Sequence, residues 1–291
     1  MKILIFGGSG MLGHKLVQRL GPDFDVWTTL RGSFESVSRF GIFDQIKTTE
    51  AVNVEDEGLV RQTIDRIRPD VVINAVGIIK QLPSSKDVIT TLNVNSIFPH
   101  RLAQLSEQFG FRLICVSTDC VFDGLKGGYT EADMPNAIDL YGKSKNLGEV
   151  TGENCLTIRT SIIGRELASS HSLVEWFLSN RGKRVKGFAR AIYSGFPTIV
   201  LADIIRMLLT EHKHLAGLYH ISSDPINKFE LLKLIGSAYD SEVAIERDED
   251  FRIDRSLDSS RFRKETGFVP KSWPEMIEFM AADKTPYDEW K

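Results

Sequence analysis

"MKILIFGGSGMLGHKLVQRL", Met1 to Leu20, reads as a short strand, a glycine-rich turn and an amphipathic helix, in that order. "KILIF" is a continuous apolar run bounded by glycines, and "GHKLVQRL" has helical periodicity. Gly8, Gly10 and Gly13 satisfy G-x-G-x-x-G, while Gly7, Gly10 and Gly13 satisfy G-x-x-G-x-x-G. Both registers supply a tight turn, close backbone approach to a pyrophosphate and a helix N-terminus aimed at the anion. The glycines count because they follow a strand and open a helix.

The pattern continues outward from this stretch. "DVWTTL", "DVVINAV" and "RLICVS" are apolar strand candidates, separated by helical "EGLVRQTIDRI" and "SIFPHRLAQLSEQF". Such alternation predicts βαβ units and a parallel sheet covered on both faces. "CLTIRTSII", Cys155 to Ile163, reads as one further strand. Beyond it the rhythm loosens. "VEWFLSN", "IVLADIIRMLLTEH", "KFELLKLIGSAY" and "WPEMIEFMAA" read as helices, with "GLYHIS" and "VAIERD" as short strands. The fold class is therefore α/β: a Rossmann doubly wound parallel sheet with a smaller C-terminal α/β substrate region. The expected division is 1–163 for the dinucleotide-binding domain and 164–291 mainly for substrate, with some later segments returning to the first.

At 291 residues, 42% hydrophobic and 26% charged, the chain has the composition of a soluble globular protein with a substantial core. A net charge of −3 gives no nucleic-acid surface. The basic "RGKRVKG", Arg181 to Gly187, reads as a solvated loop that could help hold an anion. No apolar stretch reaches the roughly 18 residues of a membrane span, and the glycines after "MKILIF" end any leader-like run too early. Cys115, Cys120 and Cys155 form no C-x-x-C pair, so neither a disulfide framework nor a metal site is expected, and the setting is read as cytoplasmic.

The second strand should present the residue that reads the adenosine ribose. After Leu30 stands Arg31, suited to a 2′-phosphate, so NADP(H) is preferred, with NAD(H) as the alternative. Asn53 and Val54 follow the next extended run and would flank the adenine. "DLYGKSK" places Tyr141 and Lys145 four apart on one helix face. A tyrosine with a pKa near 10 is a poor proton donor at neutral pH. A nearby ammonium favours the phenolate and lowers that pKa. At the end of "RLICV" stands "STDCVFDG", Ser117 to Gly124, where ligands of open α/β sheets bind.

Together "GGSGMLG", "NAVG", "STDCVFDG", "YGKSK" and "IRTS" resemble the extended short-chain dehydrogenase/reductase family, and within it the dTDP-4-dehydrorhamnose reductase group. The likeness runs the whole length, through "GLYHISS" and "RSLDSSRF". It implies that Tyr141 protonates a carbonyl oxygen, that Lys145 lowers the tyrosine pKa and holds the nicotinamide ribose, and that Thr118 hydrogen-bonds the substrate oxygen. By the same likeness Gly7, Gly10, Met11, Leu12 and Gly13 surround the pyrophosphate. Ala75, Val76 and Gly77 line the cofactor path, with Asn93 in support. Lys80, Asp119, Cys120 and Arg255 become substrate-binding candidates, Lys80 and Arg255 toward the diphosphate or base. The implied partner is a nucleotide-sugar substrate, a 4-keto-6-deoxy hexose reduced at C4, and a homodimer is compatible with the family.

The chain also departs from that group. Cys120 stands where the rhamnose reductases carry tyrosine, and Ile162 where they carry tryptophan. A 4,6-dehydratase would want a glutamate at position 120, so dehydration is disfavoured. Cys120 admits an epimerase-reductase of the GDP-fucose synthase type, with His171 as the partner acid/base. A further alternative, from the same resemblance, is a non-catalytic regulatory subunit like that of methionine adenosyltransferase.

Overall fold

Side chains of a strand alternate between faces, so one covered on both sides must be apolar at every position. Strand β1 (Lys2–Phe6) meets that condition, with Ile3, Leu4, Ile5 and Phe6 all fully buried. In this computed structural model, which describes residues 1–290, β1 lies inside a seven-stranded sheet. The further strands are β2 (Asp25–Thr29), β3 (Thr48–Thr49), β4 (Val71–Asn74), β5 (Arg112–Thr118), β6 (Cys155–Thr160), β7 (Ile162–Ile163), β8 (Arg184–Tyr193), β9 (Phe196–Pro197), β10 (Gly217–His220), β11 (Ile226–Asn227) and β12 (Ala244–Asp254). The large sheet has the order β10-β6-β5-β4-β1-β2-β3, and the pairs from β3 to β5 are parallel. The order reverses at β1, the point where doubly wound folds bind their ligands.

The chain divides into two units that interleave along the sequence. The first comprises Met1–Ser117, Ile138–Ile158 and Ala202–Leu218; the second comprises Thr118–Ala137, Arg159–Leu201 and Tyr219–Lys291. In the first unit, Leu4 and Phe6 of β1, Val72 of β4 and Leu113 and Cys115 of β5 face one core. Helices Glu57–Ile67 and Phe98–Phe109 cover it with Val60, Ile64, Phe98, Leu102 and Leu105. At about 25 cal/mol per Å² of apolar surface, this double-sided burial is the main term holding the sheet together. Asp56 caps the first of these helices by accepting the Leu59 N–H at 3.0 Å.

Helices Gly13–Leu20 and Glu57–Ile67 match their expected bounds residue for residue. Other segments differ, each for a physical reason. "CLTIRTSII" is two strands, because the Ser161 carbonyl turns to accept the Phe196 N–H at 2.9 Å and β7 pairs with β9 instead. "SIFPH" opens in a π-helical turn, Asn93–Ile97, before the α-helix begins at Phe98. In "RGKRVKG" the loop ends at Lys183, and Arg184 starts β8, which pairs with β12 in parallel and β11 antiparallel. Strand β12 runs from Ala244 to Asp254, well past the "VAIERD" that marks it in the sequence.

Candidate active site

The glycine loop joins β1 to helix Gly13–Leu20 in the first unit. Gly7 holds φ +88°, a region that L side chains rarely adopt, and a Cβ on Gly13 would lie 2.0 Å from the Gly7 carbonyl oxygen. The loop is pinned to β2: Gly7 N–H donates to Thr29 Oγ1 at 3.3 Å and Gly8 N–H to the Thr29 carbonyl at 3.1 Å. The His14 N–H reaches back to the Gly10 carbonyl at 3.1 Å, which starts the helix. Ahead of it the N–H groups of Met11 and Leu12 find no acceptor among the described residues. Two free donors at a helix head form an anion cradle.

Ala75, Val76 and Gly77 lie just beyond β4, where Ala75 N–H donates to the Phe6 carbonyl at 3.1 Å. A Cβ on Gly7 would meet Val76 Cγ2 at 3.0 Å, so this segment and the loop are neighbours at the switch point. Arg31 follows β2, exposed, with no partner for its guanidinium among the described residues. Asn53 is exposed and accepts the Glu55 N–H at 3.2 Å, whereas Val54 is buried in the core. Asn93 donates to Glu55 Oε1 at 2.9 Å, which ties its helix to that turn.

The helix Leu140–Leu147 carries Tyr141 and Lys145. Asp139 caps it, accepting the Gly142 N–H at 2.9 Å. Lys145 is buried, and its ammonium donates to the Val116 carbonyl of β5 at 2.8 Å. Burial holds its pKa below the ordinary lysine value, against the opposing fields of Cys115 and Glu149. Glu149 also accepts a 2.7 Å hydrogen bond from Ser117, so the end of β5 is fastened to the chain just past the helix. Lys80 makes a 2.7 Å ion pair with Asp139, and its ammonium stands 5.6 Å from the centre of the Tyr141 ring.

Sequence reasoning passed over Asn95. It is 1% exposed within the π-helical turn, and its carboxamide is fully used. Oδ1 accepts the Ile78 N–H at 2.9 Å, while Nδ2 donates to the Ile78 carbonyl at 3.0 Å and to Ser144 Oγ at 3.1 Å. Asn95 thus joins the segment beyond β4 to the helix that carries Tyr141. A second polar residue two positions after Asn93 gives no signal of this in the sequence, because only the backbone turn decides which asparagine points inward.

In the second unit, Thr118 caps a short turn, Asp119–Val121: its hydroxyl accepts the Cys120 N–H at 3.1 Å and donates to Asp119 Oδ1 at 3.1 Å. Asp119 is buried, and burial pushes its carboxyl above the usual range, with Arg255 and the hydroxyl of Thr118 pulling the other way. Arg255 donates to the Phe122 carbonyl at 2.8 Å and places Nη1 3.8 Å from Cys120 Sγ. The structure brings Thr118, Asp119, Cys120 and Arg255 into one cluster. His171 is not part of it: exposed, it is held through its backbone N–H by Glu166 Oε2 at 2.8 Å, and it shares no hydrogen bond with Cys120 among the described residues.

These features test whether a dinucleotide fits the first unit. The bare glycine loop, the two free N–H donors and the unpaired Arg31 agree with a pyrophosphate and an adenosine 2′-phosphate. Strand order, loop and Tyr-Lys helix define an extended short-chain dehydrogenase/reductase fold. The RmlD substrate binding domain family matches residues 1–285, and the chain belongs to that family. The spore coat polysaccharide biosynthesis protein SpsK of Bacillus subtilis is 25% identical over 95% of each chain. Methionine adenosyltransferase 2 subunit beta of Xenopus laevis is 25% identical over 97% of this chain and 82% of its own. Among solved structures, dTDP-4-dehydrorhamnose reductase from Bacillus anthracis in complex with NADP is 25% identical, covers 96% of this chain and 98% of its own, and superposes with a TM-score of 0.78.

Proposed function

We propose that this chain reduces the 4-keto group of a nucleotide-diphosphate 6-deoxy-4-keto hexose with NADPH, in deoxysugar biosynthesis. Family membership and the likeness to a reductase that binds NADP support the reading. The observation that carries it is the capped helix that presents Tyr141, with the Lys145 ammonium fixed against the end of β5. NADPH supplies the hydride when bound. Met11, Leu12 and the glycines hold its pyrophosphate, and Arg31 meets the 2′-phosphate; NAD(H) lacks that group and binds less well. Tyr141 gives its proton to the carbonyl oxygen as that oxygen gains electron density, then recovers one from solvent. Lys145 stabilises the phenolate left behind. Arg255 and Asp119 hold the sugar nucleotide.

The test is ketone-dependent NADPH oxidation with a panel of 4-keto-6-deoxy nucleotide sugars. Tyr141→Phe should lower kcat by at least about a hundredfold, the usual worth of a general acid; a variant as fast as the parent would remove this mechanism. The likeness to the Xenopus subunit supports a second reading, nucleotide binding in the service of a partner enzyme. Absence of turnover on every keto sugar, together with a stoichiometric partner in pull-down, would favour it.

A further inference from the structure

Lys80 was a candidate for the substrate diphosphate, yet its ammonium already has two uses. It lies 2.7 Å from Asp139 Oδ2 and 5.6 Å from the Tyr141 ring centre. The other Asp139 oxygen caps the helix that carries Tyr141. Lys80 and Asp139 are each a little over one-third exposed, at 36% and 38%, so the pair is only partly screened by water.

We infer that Lys80 is a positioning residue for Tyr141: clamped by Asp139, it keeps a second positive charge against the phenol ring, from a different loop than Lys145. The inference rests on the reductase reading, in which Tyr141 is the proton donor. A cation over an aromatic face is attracted by the ring itself. It is attracted more strongly by the phenolate, so it favours the ionised form and makes the phenol a better acid. Asp139 opposes this with its own negative charge while it holds the ammonium in place. Other charged groups belong to the ring's own helix and to the elements packed on it. Its own helix carries Lys143, exposed, and Lys145, with Glu149 just beyond. Packed on that helix are the turn Pro83–Lys86, the helix Val88–Leu92 and the turn Asn93–Ile97, while β5 meets Lys145 through the Val116 carbonyl and helix Phe98–Phe109 meets the Leu147 carbonyl through His100. They and their caps bring Lys86, Asp87 and His100.

The clamp makes predictions for both of its members. Lys80→Met removes the cation and should raise the Tyr141 pKa by roughly half a pH unit, modest because the charge is half-screened. Asp139→Asn should also raise it, by less: the amide oxygen still caps the helix, the amide nitrogen in place of Oδ2 no longer holds the ammonium, and loss of the opposing charge offsets part of the rise. Lys80→Arg should restore the parent value. The readout is an ultraviolet difference titration of the phenolate band, each variant against the same variant carrying Tyr141→Phe, and it needs neither cofactor nor substrate. The alkaline limb of kcat/KM for reduction should move in step with it. Thermal melting checks that each variant folds, and Lys80→Gln replaces Lys80→Met if the latter does not. A phenol pKa lowered in Lys80→Met, or lowered in Asp139→Asn, would overturn the inference. So would an unmoved phenol titration with a raised KM for the nucleotide sugar, which would make Lys80 a substrate ligand. A parent protein that reduces no ketone, while its Lys80 and Asp139 variants show these shifts, would defeat the reductase reading and leave the clamp standing.

Discussion

Burial acts in opposite directions on two ionisable groups, Lys145 and Asp119. It lowers the pKa of Lys145 and raises that of Asp119, in each case favouring the neutral form. The consequence for Asp119 is a stability that depends on pH. Its folded carboxyl binds a proton more tightly than an unfolded one, so stability falls as pH rises from the ordinary carboxylate value through the raised folded one. Asp119→Asn keeps the acceptor for Thr118 and removes that cost. Its melting temperature should exceed the parent's at neutral pH, and the advantage should vanish in acid below the ordinary aspartate pKa. An advantage that persists in acid would mean the gain comes from packing. Arg31 offers a cleaner test of cofactor choice. Arg31→Ala removes a charge-assisted contact of about 1.5–3 kcal/mol, so the KM for NADPH should rise roughly tenfold or more, with that for NADH unmoved. Equal changes for both cofactors would remove Arg31 from the 2′-phosphate.

At the scale of elements, Asn95 shows what periodicity cannot reveal. Replacing it with alanine leaves the Ile78 N–H and carbonyl without their partner, while the Ser144 hydroxyl keeps its bond to the Tyr141 carbonyl. Each unpaired buried group costs about 1–3 kcal/mol. Asn95→Ala should therefore lower the melting temperature markedly and also reduce kcat, because the segment beyond β4 and the Tyr141 helix lose their tie. A normal kcat in a destabilised variant would confine Asn95 to stability. The same limit explains β8. Its inward positions are Val185, Gly187, Ala189, Ala191 and Tyr193, all buried in strict alternation. Three of these five are glycine or alanine, so the alternation carries little hydrophobic contrast and the charged outward residues dominate the reading. Gly187 has to be small: a Cβ there would come within 2.7 Å of Ile245 and 2.8 Å of Phe229. By contrast β1 and helices Gly13–Leu20 and Glu57–Ile67 were legible, because their apolar faces are built from large residues at unbroken spacing. The Gly loop, Tyr141 and Lys145 were legible for another reason: each depends on local spacing. Lys80 and Asp139 are 59 residues apart, and only the folded chain brings them together.

The whole molecule is organised by a chain that leaves the first unit and comes back. The returning segment, Ala202–Leu218, contributes most of helix Thr198–Thr210 and the start of β10 to the unit built by the N-terminal half. Its attachments are polar as well as apolar. Asp203 makes a paired contact with Arg19 at 2.9–3.0 Å, and Arg206 reaches Asp23 at 3.2 Å. Arg112 of β5 donates to the carbonyls of Leu208, His212 and Leu215 at 2.9–3.2 Å, closing the C-terminal end of that helix, whose last carbonyls have no partners within the helix. Ile204, Ile205, Leu208 and Leu209 are buried as well. A cut at the sequence-level boundary of residue 163 removes all of this. The 1–163 fragment should accordingly lack near-ultraviolet circular dichroism and a cooperative urea transition, because an apolar surface meant to be covered by Ala202–Leu218 is open to water. In the full chain, Arg112→Met strips the Leu208 and Leu215 carbonyls of their donor, leaves the His212 carbonyl its bond from the Leu215 N–H, and keeps the apolar stem. It should cost about 2 kcal/mol and speed amide hydrogen exchange in 202–218 ahead of β1 and β4. If the 1–163 fragment unfolds as cooperatively as the whole protein, the returning segment is an accessory to the first unit, and the interleaving is a path of the chain with no bearing on its stability.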